Sequence, residues 1–200
     1  MSRCAFSSLM LATAFVALVA AASAQETPSL KGLRPDLARE EVEKVYPDLA
    51  KRCSTLKGRN VVSCYYAPPK PELEKYRPRI ADLDTLAGEP VKNWLLILDP
   101  QSAVDSVAVT LFTPSFDRVV GALTERYGKP SNTETSVVQN RAGASFDQVE
   151  VTWKIGDSHL VVNKRSSTID EMSVSLSTRS RIAEWAQREK GKTKDAAKDL

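Results

Sequence analysis

The sequence predicts an α+β protein built from two units, each a helix followed by a three-stranded antiparallel meander, with the helices packed on one face of an antiparallel sheet. Two observations lead to this prediction. Apolar residues recur at helical spacing over residues 37–49 and again over residues 116–127. After the second of these segments, apolar and polar residues alternate in residues 149–155 and 172–176, which is typical of strands with one covered and one solvated face.

The second helix is the best-defined element of the sequence and lies within residues 113–131. Ser115 is positioned to act as its N-cap, Gly128 can close it in the left-handed conformation, and Pro130 prevents its continuation. The residues expected to form its apolar face are Phe116, Val120, Leu123 and Tyr127. Residues 132–143 are rich in Asn, Thr, Ser and Gly and are expected to form a loop.

The first unit is less regular than the second. Because Pro47 follows Tyr46, the first helix is expected to end or bend there. Its apolar stripe comprises Leu37, Val42, Val45, Tyr46 and Leu49. Strands are expected at residues 59–66, 94–98 and 107–111. The proline-rich connection at residues 67–92 is long for a compact domain, and such connections often carry function. The alternative is a surface excursion without a partner.

The first 24 residues have the composition of a signal peptide. A positive charge precedes an apolar region at residues 9–22, and Ala22-Ser23-Ala24 matches the small-residue cleavage pattern. Cleavage after Ala24 would leave a periplasmic or secreted chain whose first residues, 25–31, are expected to be flexible. The alternative is an uncleaved membrane anchor, although the apolar run is shorter than the roughly 20 residues that span a bilayer. No stable membrane insertion is expected after cleavage.

Cys53 and Cys64 are the two cysteines that remain beyond the predicted signal peptide. A single close pair in an exported chain is typical of a structural disulfide. Metal binding and redox catalysis are the alternatives. However, the ten intervening residues match neither the tight ligand pair of a zinc site nor a C-x-x-C motif. The disulfide is expected to tie the end of the first helix to the strand at residues 59–66.

The net charge of +3 comes from the two ends of the chain. Residues 179–200 carry seven basic and four acidic side chains, whereas the body between has no basic cluster of the kind that a nucleic-acid-binding domain needs. No nucleic-acid partner is therefore expected. The predicted organisation is a signal peptide at 1–24, a first unit at 25–112, a second unit at 113–178, and a C-terminal helix with a disordered basic tail at 179–200.

The two helix segments resemble those of tandem BamE/SmpA-like proteins. LRPDLAREEVEKVYP resembles the helix-opening motif of that family, and FDRVVGALTERYGKPS resembles the second helix of its tandem relatives, which include β-lactamase-inhibitor-protein-like folds. The resemblance implies an exported protein of the bacterial envelope that binds a partner and has structural rather than catalytic motifs. Asp36 and Ala38 depart from the family's capping residues, and Asp36 is expected to cap the helix instead. Because no lipidation cysteine is present, membrane anchoring is not implied.

Few residues are suited to catalysis. His159 is the single histidine, its strand phase places it on the polar face, and no G-x-S-x-G motif accompanies it. Acidic pairs occur at residues 40–41 and at Asp82 and Asp84, and a carboxylate pair of this kind makes an envelope hydrolase the alternative function. No catalytic residue, cofactor, metal site or small-molecule ligand is expected.

Aromatic side chains are the better candidates for an interaction site. Those near the long connection are Tyr65, Tyr66, Tyr76 and Trp94. The alternative is that Trp94 belongs to the core and the tyrosines are half-buried. The expected function is that of a non-enzymatic exported binding or envelope-assembly module, monomeric or weakly associating, whose partner is another envelope protein.

Overall fold

The computed structural model describes residues 27–56, 61–99 and 103–178, together with Ser180, Ala183 and Gln187. The predicted signal peptide at 1–24 lies outside the described residues. So does most of the predicted C-terminal helix and tail, of which the three isolated residues above are helical and exposed. No helix within the described residues is both long enough and apolar enough to cross a membrane.

The protein has an α+β fold dominated by one antiparallel sheet, as the sequence predicts at this level of detail. The strands in chain order are β1 (Cys53–Thr55), β2 (Val62–Tyr66), β3 (Thr85–Leu86), β4 (Glu89–Leu98), β5 (Val104–Phe112), β6 (Asn132–Gln139), β7 (Ser145–Ile155), β8 (Ser158–Asn163) and β9 (Glu171–Thr178). Their spatial order is β1-β2-β4-β5-β9-β8-β7-β6, with β3 paired to β4 beside this path. Among the described strands, β1 and β6 therefore form the two edges.

The helices are α1 (Arg39–Val45), α2 (Pro47–Ala50) and α3 (Phe116–Tyr127). Pro47 separates the first two, as the sequence predicts, because it begins α2 after the break at Tyr46. Leu49 of α2 and Leu123 of α3 are buried in the same apolar cluster as one face of the sheet. The helices and that face therefore enclose a common core.

The centre of the core is formed by side chains from neighbouring strands. Trp94 of β4, Val109 of β5 and Val174 of β9 lie in register across the sheet and are fully buried. The apolar run in β4 is not buried on both sides, because Leu95 and Ile97 point to the opposite face and are half-buried. The central strand thus contributes apolar side chains to both faces of the sheet.

One predicted loop is a strand. Residues 132–139 form β6, which pairs with β7 along its whole length. The expectation of three strands after each helix did not include it. The pattern was misleading because β6 is an edge strand whose side chains are almost all exposed. Such a strand has no buried face and therefore no apolar alternation.

The N-terminal segment is also more ordered than expected. Pro28 and Leu30 are buried, and the Tyr127 hydroxyl donates a hydrogen bond of 2.7 Å to the Ser29 carbonyl. The Tyr46 hydroxyl donates to the Lys31 carbonyl at 2.9 Å. The prediction of a flexible segment at 25–31 is therefore wrong for residues 28–31, because Tyr46, between α1 and α2, and Tyr127 of α3 hold that backbone.

The predicted helix ends need two corrections. Ser115 does not cap α3, since its own backbone is in the right-handed helical region and its hydroxyl donates to Glu89 at 2.7 Å. Asp36 does not cap α1, which begins after Ala38. There the Glu41 carboxylate accepts the Ala38 N–H at 3.1 Å. The Ser115 hydroxyl is thus engaged in a tertiary contact, and the side-chain cap of α1 comes from Glu41 within the helix, neither of which the residue types alone revealed.

The predicted apolar faces are largely confirmed, with one residue wrongly included and one missed. In α3 the buried residues are Phe116, Val119 and Leu123, so Val119 was missed, and Val120 and Tyr127 are partly buried against the core. In the first segment Leu37, Val42, Tyr46 and Leu49 are buried, whereas Val45 is 56% exposed. Val45 is the last residue of α1, and the chain turns at Tyr46 before this side chain can reach the core.

Candidate functional site

The four aromatic candidates separate into two pairs. Tyr66 and Trp94 point into the core and are fully buried, whereas Tyr65 and Tyr76 are 52% and 73% exposed. Strand geometry explains why Tyr65 is exposed and Tyr66 is buried, because the two are consecutive in β2 and must point to opposite faces. Tyr66 and Trp94 lie opposite each other in the β2–β4 pair, inside the core, whereas Tyr65 and Tyr76 line one surface groove.

The predicted disulfide between Cys53 and Cys64 is confirmed. The two residues lie directly opposite each other in the β1–β2 pair, with their Cα atoms 3.9 Å apart. The expected link from a helix end to the sheet is corrected in detail, because Cys53 already belongs to β1. The disulfide therefore fixes the short edge strand β1 onto β2, next to the groove.

The connection after β2 spans residues 67–84 and is shorter than the predicted 67–92, because β3 and the start of β4 occupy the remainder. It is anchored to the core by Tyr66. Its hydroxyl donates a hydrogen bond of 2.6 Å to the Asp84 carboxylate and accepts the Ile80 N–H at 3.0 Å. Burial of the phenol and the hydrogen bond to Asp84 raise the pKa of Tyr66 to about 12. One buried side chain thus holds the far end of the connection.

Arg79 and Trp94 provide further anchors for the same connection. Arg79 forms ion pairs with Glu74 at 2.7 Å and with Asp84 at 3.0 Å. The indole N–H of Trp94 donates to the Leu83 carbonyl at 2.7 Å. Two short 3-10 helices, Pro71–Leu73 and Ala81–Leu83, shape the path between these points. This segment, residues 67–84, is therefore held in place by defined contacts to the core and forms a braced connection.

The groove has a volume of about 500 Å³. It lies between the end of α2, the strand β2 and the braced connection. Its lining comprises Asp48, Lys51, Arg52, Tyr65, Ala67, Tyr76, Arg77 and Pro78. Three of these side chains are cationic and one is anionic, so the lining carries an excess of positive charge.

The three cations of the groove are held to different degrees. Lys51 forms an ion pair with Asp48 at 2.9 Å. Arg52 is fixed from two sides, because its guanidinium donates to the Pro78 carbonyl at 2.6 Å and lies 5.0 Å above the centre of the Tyr66 ring. No carboxylate among the described residues forms an ion pair with Arg77. Its charge is available to an incoming group.

No protein-family model, curated protein or solved structure matches this chain.

The acidic residues considered for hydrolysis have other contacts. Both carboxylate oxygens of Asp84 are engaged, one by Tyr66 and the other by Arg79. Asp82 is exposed. Burial of the Tyr46 phenol raises its pKa, and the negative charge of Asp82 raises it further. Glu41 accepts the backbone N–H of Ala38. The described residues contain no group of three or more His, Cys, Asp or Glu that could hold a metal ion.

His159 is half-buried on β8, opposite Lys154 of β7 and Ser177 of β9. It points away from the face that buries Leu160, as its strand phase predicts. It lies at the other half of the sheet from the groove, which β2 lines.

Sequence reasoning found the tyrosines of the groove but missed its cations. Lys51, Arg52 and Arg77 were overlooked because each is an ordinary surface residue by type. The sequence feature that could have identified two of these cations is their position next to a cysteine or a candidate tyrosine. Arg52 directly precedes Cys53, Tyr65 directly follows Cys64, and Arg77 directly follows Tyr76. A disulfide that joins the two cysteines necessarily brings Arg52 and Tyr65 into one neighbourhood.

Proposed function

We propose that the protein is an exported, non-enzymatic binding module of the bacterial envelope, and that the groove between α2, β2 and the braced connection is its binding site. The observation that carries this proposal is the pairing of two exposed tyrosines with unneutralised positive charge on an ordered frame. Tyrosine and arginine are the residue types most enriched where protein interfaces concentrate their binding energy.

The chemistry of the groove favours an acidic segment of another envelope protein. Arg77 lacks an ion-pair partner among the described residues, and Arg52 lines the same groove as Tyr65. An arginine fork binds a carboxylate through two parallel hydrogen bonds. Tyr76, with Lys75 4.7 Å from its ring centre, offers apolar surface beside these charges. A chain that alternates acidic and apolar side chains would satisfy both features.

The bracing of the connection supports binding at this place. Ordering a loop on association costs free energy, and a loop that is already held in place avoids much of that cost. Tyr76 and Arg77 are exposed, yet they lie between Glu74 and Arg79, which form an ion pair at 2.7 Å. The binding residues are therefore held in an ordered conformation before the partner binds.

The proposed architecture has two units, at residues 25–112 and 113–178. The sheet order supports it, because β1, β2, β4 and β5 follow the first helices and occupy one half of the sheet, whereas β6 to β9 follow α3 and occupy the other. Each half contains four strands of the main sheet rather than three. This arrangement is consistent with the resemblance to tandem BamE/SmpA-like and β-lactamase-inhibitor-protein-like proteins, from which the proposal of envelope location and partner binding is also drawn.

Site-specific photocrosslinking in bacterial cells that produce the full chain tests the proposed site. A photoreactive amino acid replaces Tyr76 in one variant and Glu125 of α3, which is exposed and does not line the groove, in a control variant. We expect an adduct only from position 76, with the crosslink mapped to an acidic segment of the partner. The purified partner should then bind the variant Arg77→Glu at least tenfold more weakly than wild type, and Lys154→Glu with unchanged affinity.

Two outcomes would contradict the proposed site. One is equal crosslinking from positions 76 and 125. The other is a specific partner whose affinity responds equally to Arg77→Glu and Lys154→Glu, since Lys154 is an exposed cation on β7 that does not line the groove.

A further inference from the structure

The edge strand β6 presents an open backbone edge. It pairs with β7 on one side over all eight residues from Asn132 to Gln139, in an uninterrupted register. Within the described part of the chain, no strand pairs with its other side. All of its side chains except Val138 are exposed, and Val137 is 65% exposed.

The β6 edge lacks most of the features that normally protect an edge strand. Proteins blunt such edges with lysine, proline, a bulge or a very short strand. β6 contains no lysine, arginine or proline, and Glu134 is its only charge. Its pairing with β7 shows no register shift. At the opposite edge of the sheet, β1 has only three residues and is fixed by the disulfide. The edge at β1 is therefore short and covalently fixed, whereas the edge at β6 is long and open.

The direction of the free backbone groups follows from the hairpin that joins β6 to β7. The Asn140 N–H donates to the Ala144 carbonyl at 3.0 Å, one step beyond the Gln139–Ser145 pair. Hydrogen-bonded positions alternate along an antiparallel ladder. The even-numbered residues of β6 thus bond to β7, and Thr133, Thr135 and Val137 turn their N–H and carbonyl groups away from the sheet.

We propose that the β6 edge binds a second copy of this chain, by antiparallel pairing of the two β6 strands about a two-fold axis. With Ser136 on the axis, Thr135 of each copy lies opposite Val137 of the other. Each exposed valine therefore packs beside a β-branched threonine. This register places the outward N–H and carbonyl groups of Thr135 against those of Val137, which forms a hydrogen-bonded pair of the antiparallel type.

Charge favours the second copy as the occupant. In this register Glu134, the only charged residue of β6, faces Val138 of the other copy, so no like charges meet directly between the paired strands. The strand is self-complementary, with Ser136 on the axis and a Thr–Val pair on each side of it. A pair of edge strands buries less surface than a standard stable interface. The dimer is therefore weak, and it leaves the groove between α2 and β2 free because β6 and β2 lie in opposite halves of the sheet.

Sedimentation velocity on the full mature chain, from about 1 µM to about 1 mM, tests this proposal. We expect reversible, concentration-dependent dimerisation in wild type. Ser136→Lys places two lysines opposite each other on the axis and should weaken dimerisation at least tenfold. Ser54→Lys, the same change at an exposed residue of β1 on the opposite edge of the sheet, is the matched control and should dimerise like wild type. Circular dichroism confirms that both variants are folded.

Amide hydrogen exchange provides an independent second measurement. At high protein concentration the amides of Thr133, Thr135 and Val137 should be protected, and on dilution they should exchange rapidly, while the even-numbered amides of β6 remain protected by β7. Monomeric behaviour across the whole concentration range would overturn the proposal. So would a dimer that Ser136→Lys leaves unchanged, or one that protects other surfaces instead of these three amides.

Discussion

The Tyr66 hydroxyl donates a hydrogen bond of 2.6 Å to the carboxylate of Asp84, across 18 residues of the chain. Tyr66 ends β2, and Asp84 follows the short 3-10 helix Ala81–Leu83. The contact therefore joins the two ends of the connection that presents Tyr76 and Arg77. Because Asp84 also pairs with Arg79, a single carboxylate organises the distal part of that connection.

Removal of the Tyr66 hydroxyl should destabilise the protein. Tyr66→Phe keeps the ring in the core but leaves the Ile80 N–H and one Asp84 oxygen without their partner. An unsatisfied buried polar group costs about 1–3 kcal/mol, and we expect a loss of free energy of unfolding in that range by urea denaturation. Tyr76→Phe, at a side chain that is 73% exposed, is the control and should change stability by less than about 0.5 kcal/mol. Equal effects of the two substitutions would contradict the anchoring role of Tyr66.

Stability at high pH should depend on Tyr66. Its pKa in the folded protein is raised from 10.0 to about 12 by burial and by Asp84. The unfolded chain therefore loses the phenolic proton first as pH rises. The stabilising contribution is complete below pH 10, decreases between pH 10 and about 12, and is absent above this range. Urea denaturation across this interval should show a steeper decline for wild type than for Tyr66→Phe. Parallel curves would show that the phenol does not titrate differently on folding.

The disulfide should stabilise both the fold and the groove. Its two cysteines are 11 positions apart, and closure of a ring of this size contributes about 2–3 kcal/mol on the chain-entropy model. The double variant Cys53→Ala, Cys64→Ala should lose about that much free energy of unfolding. Because Arg52 and Tyr65 adjoin the two cysteines, partner binding at the groove should weaken as well. Dimerisation through β6 should be unaffected, and equal losses at both surfaces would indicate general unfolding instead.

Export should depend on the first 24 residues. We expect a reporter fused to residues 1–30 to reach the periplasm and to be cleaved before Gln25, because the Ala22-Ser23-Ala24 pattern precedes that bond. N-terminal sequencing of the exported product identifies the cleavage position. Ala24→Arg should block processing, since the residue before the cleaved bond must be small. A fusion that remains in the cytoplasm would contradict the proposed location.

The sequence predicted the elements whose residues face the core and missed those that do not. α3 and the alternating strands β7 and β9 were recognised because burial of one side imposes a period on the sequence. β6 was taken for a loop because neither of its faces is covered. The N-terminal backbone at Ser29 was expected to be flexible because its order depends on Tyr127, 98 residues away.

The candidate site was predicted in part for the same reason. Tyr65 and Tyr66 are adjacent, and strand geometry required one of them to be exposed. Which other exposed side chains join Tyr65 depends on tertiary contacts. The ion pairs of Arg79 and the hydrogen bond from Arg52 to Pro78 place the connection beside α2. Such contacts leave no local pattern in the sequence, and the cations of the groove were therefore not recognised.

A charge-exchange cycle is the most direct test of the claim that the groove binds an acidic segment. Calorimetric titration would measure the affinity of the crosslinked partner for wild type and for Arg77→Glu, with the partner's segment either native or carrying one acidic residue changed to lysine. We predict that each single change weakens binding at least tenfold and that the two together restore a large part of the loss, because the charges again attract. Strictly additive losses, with no recovery in the combined variant, would contradict the claim.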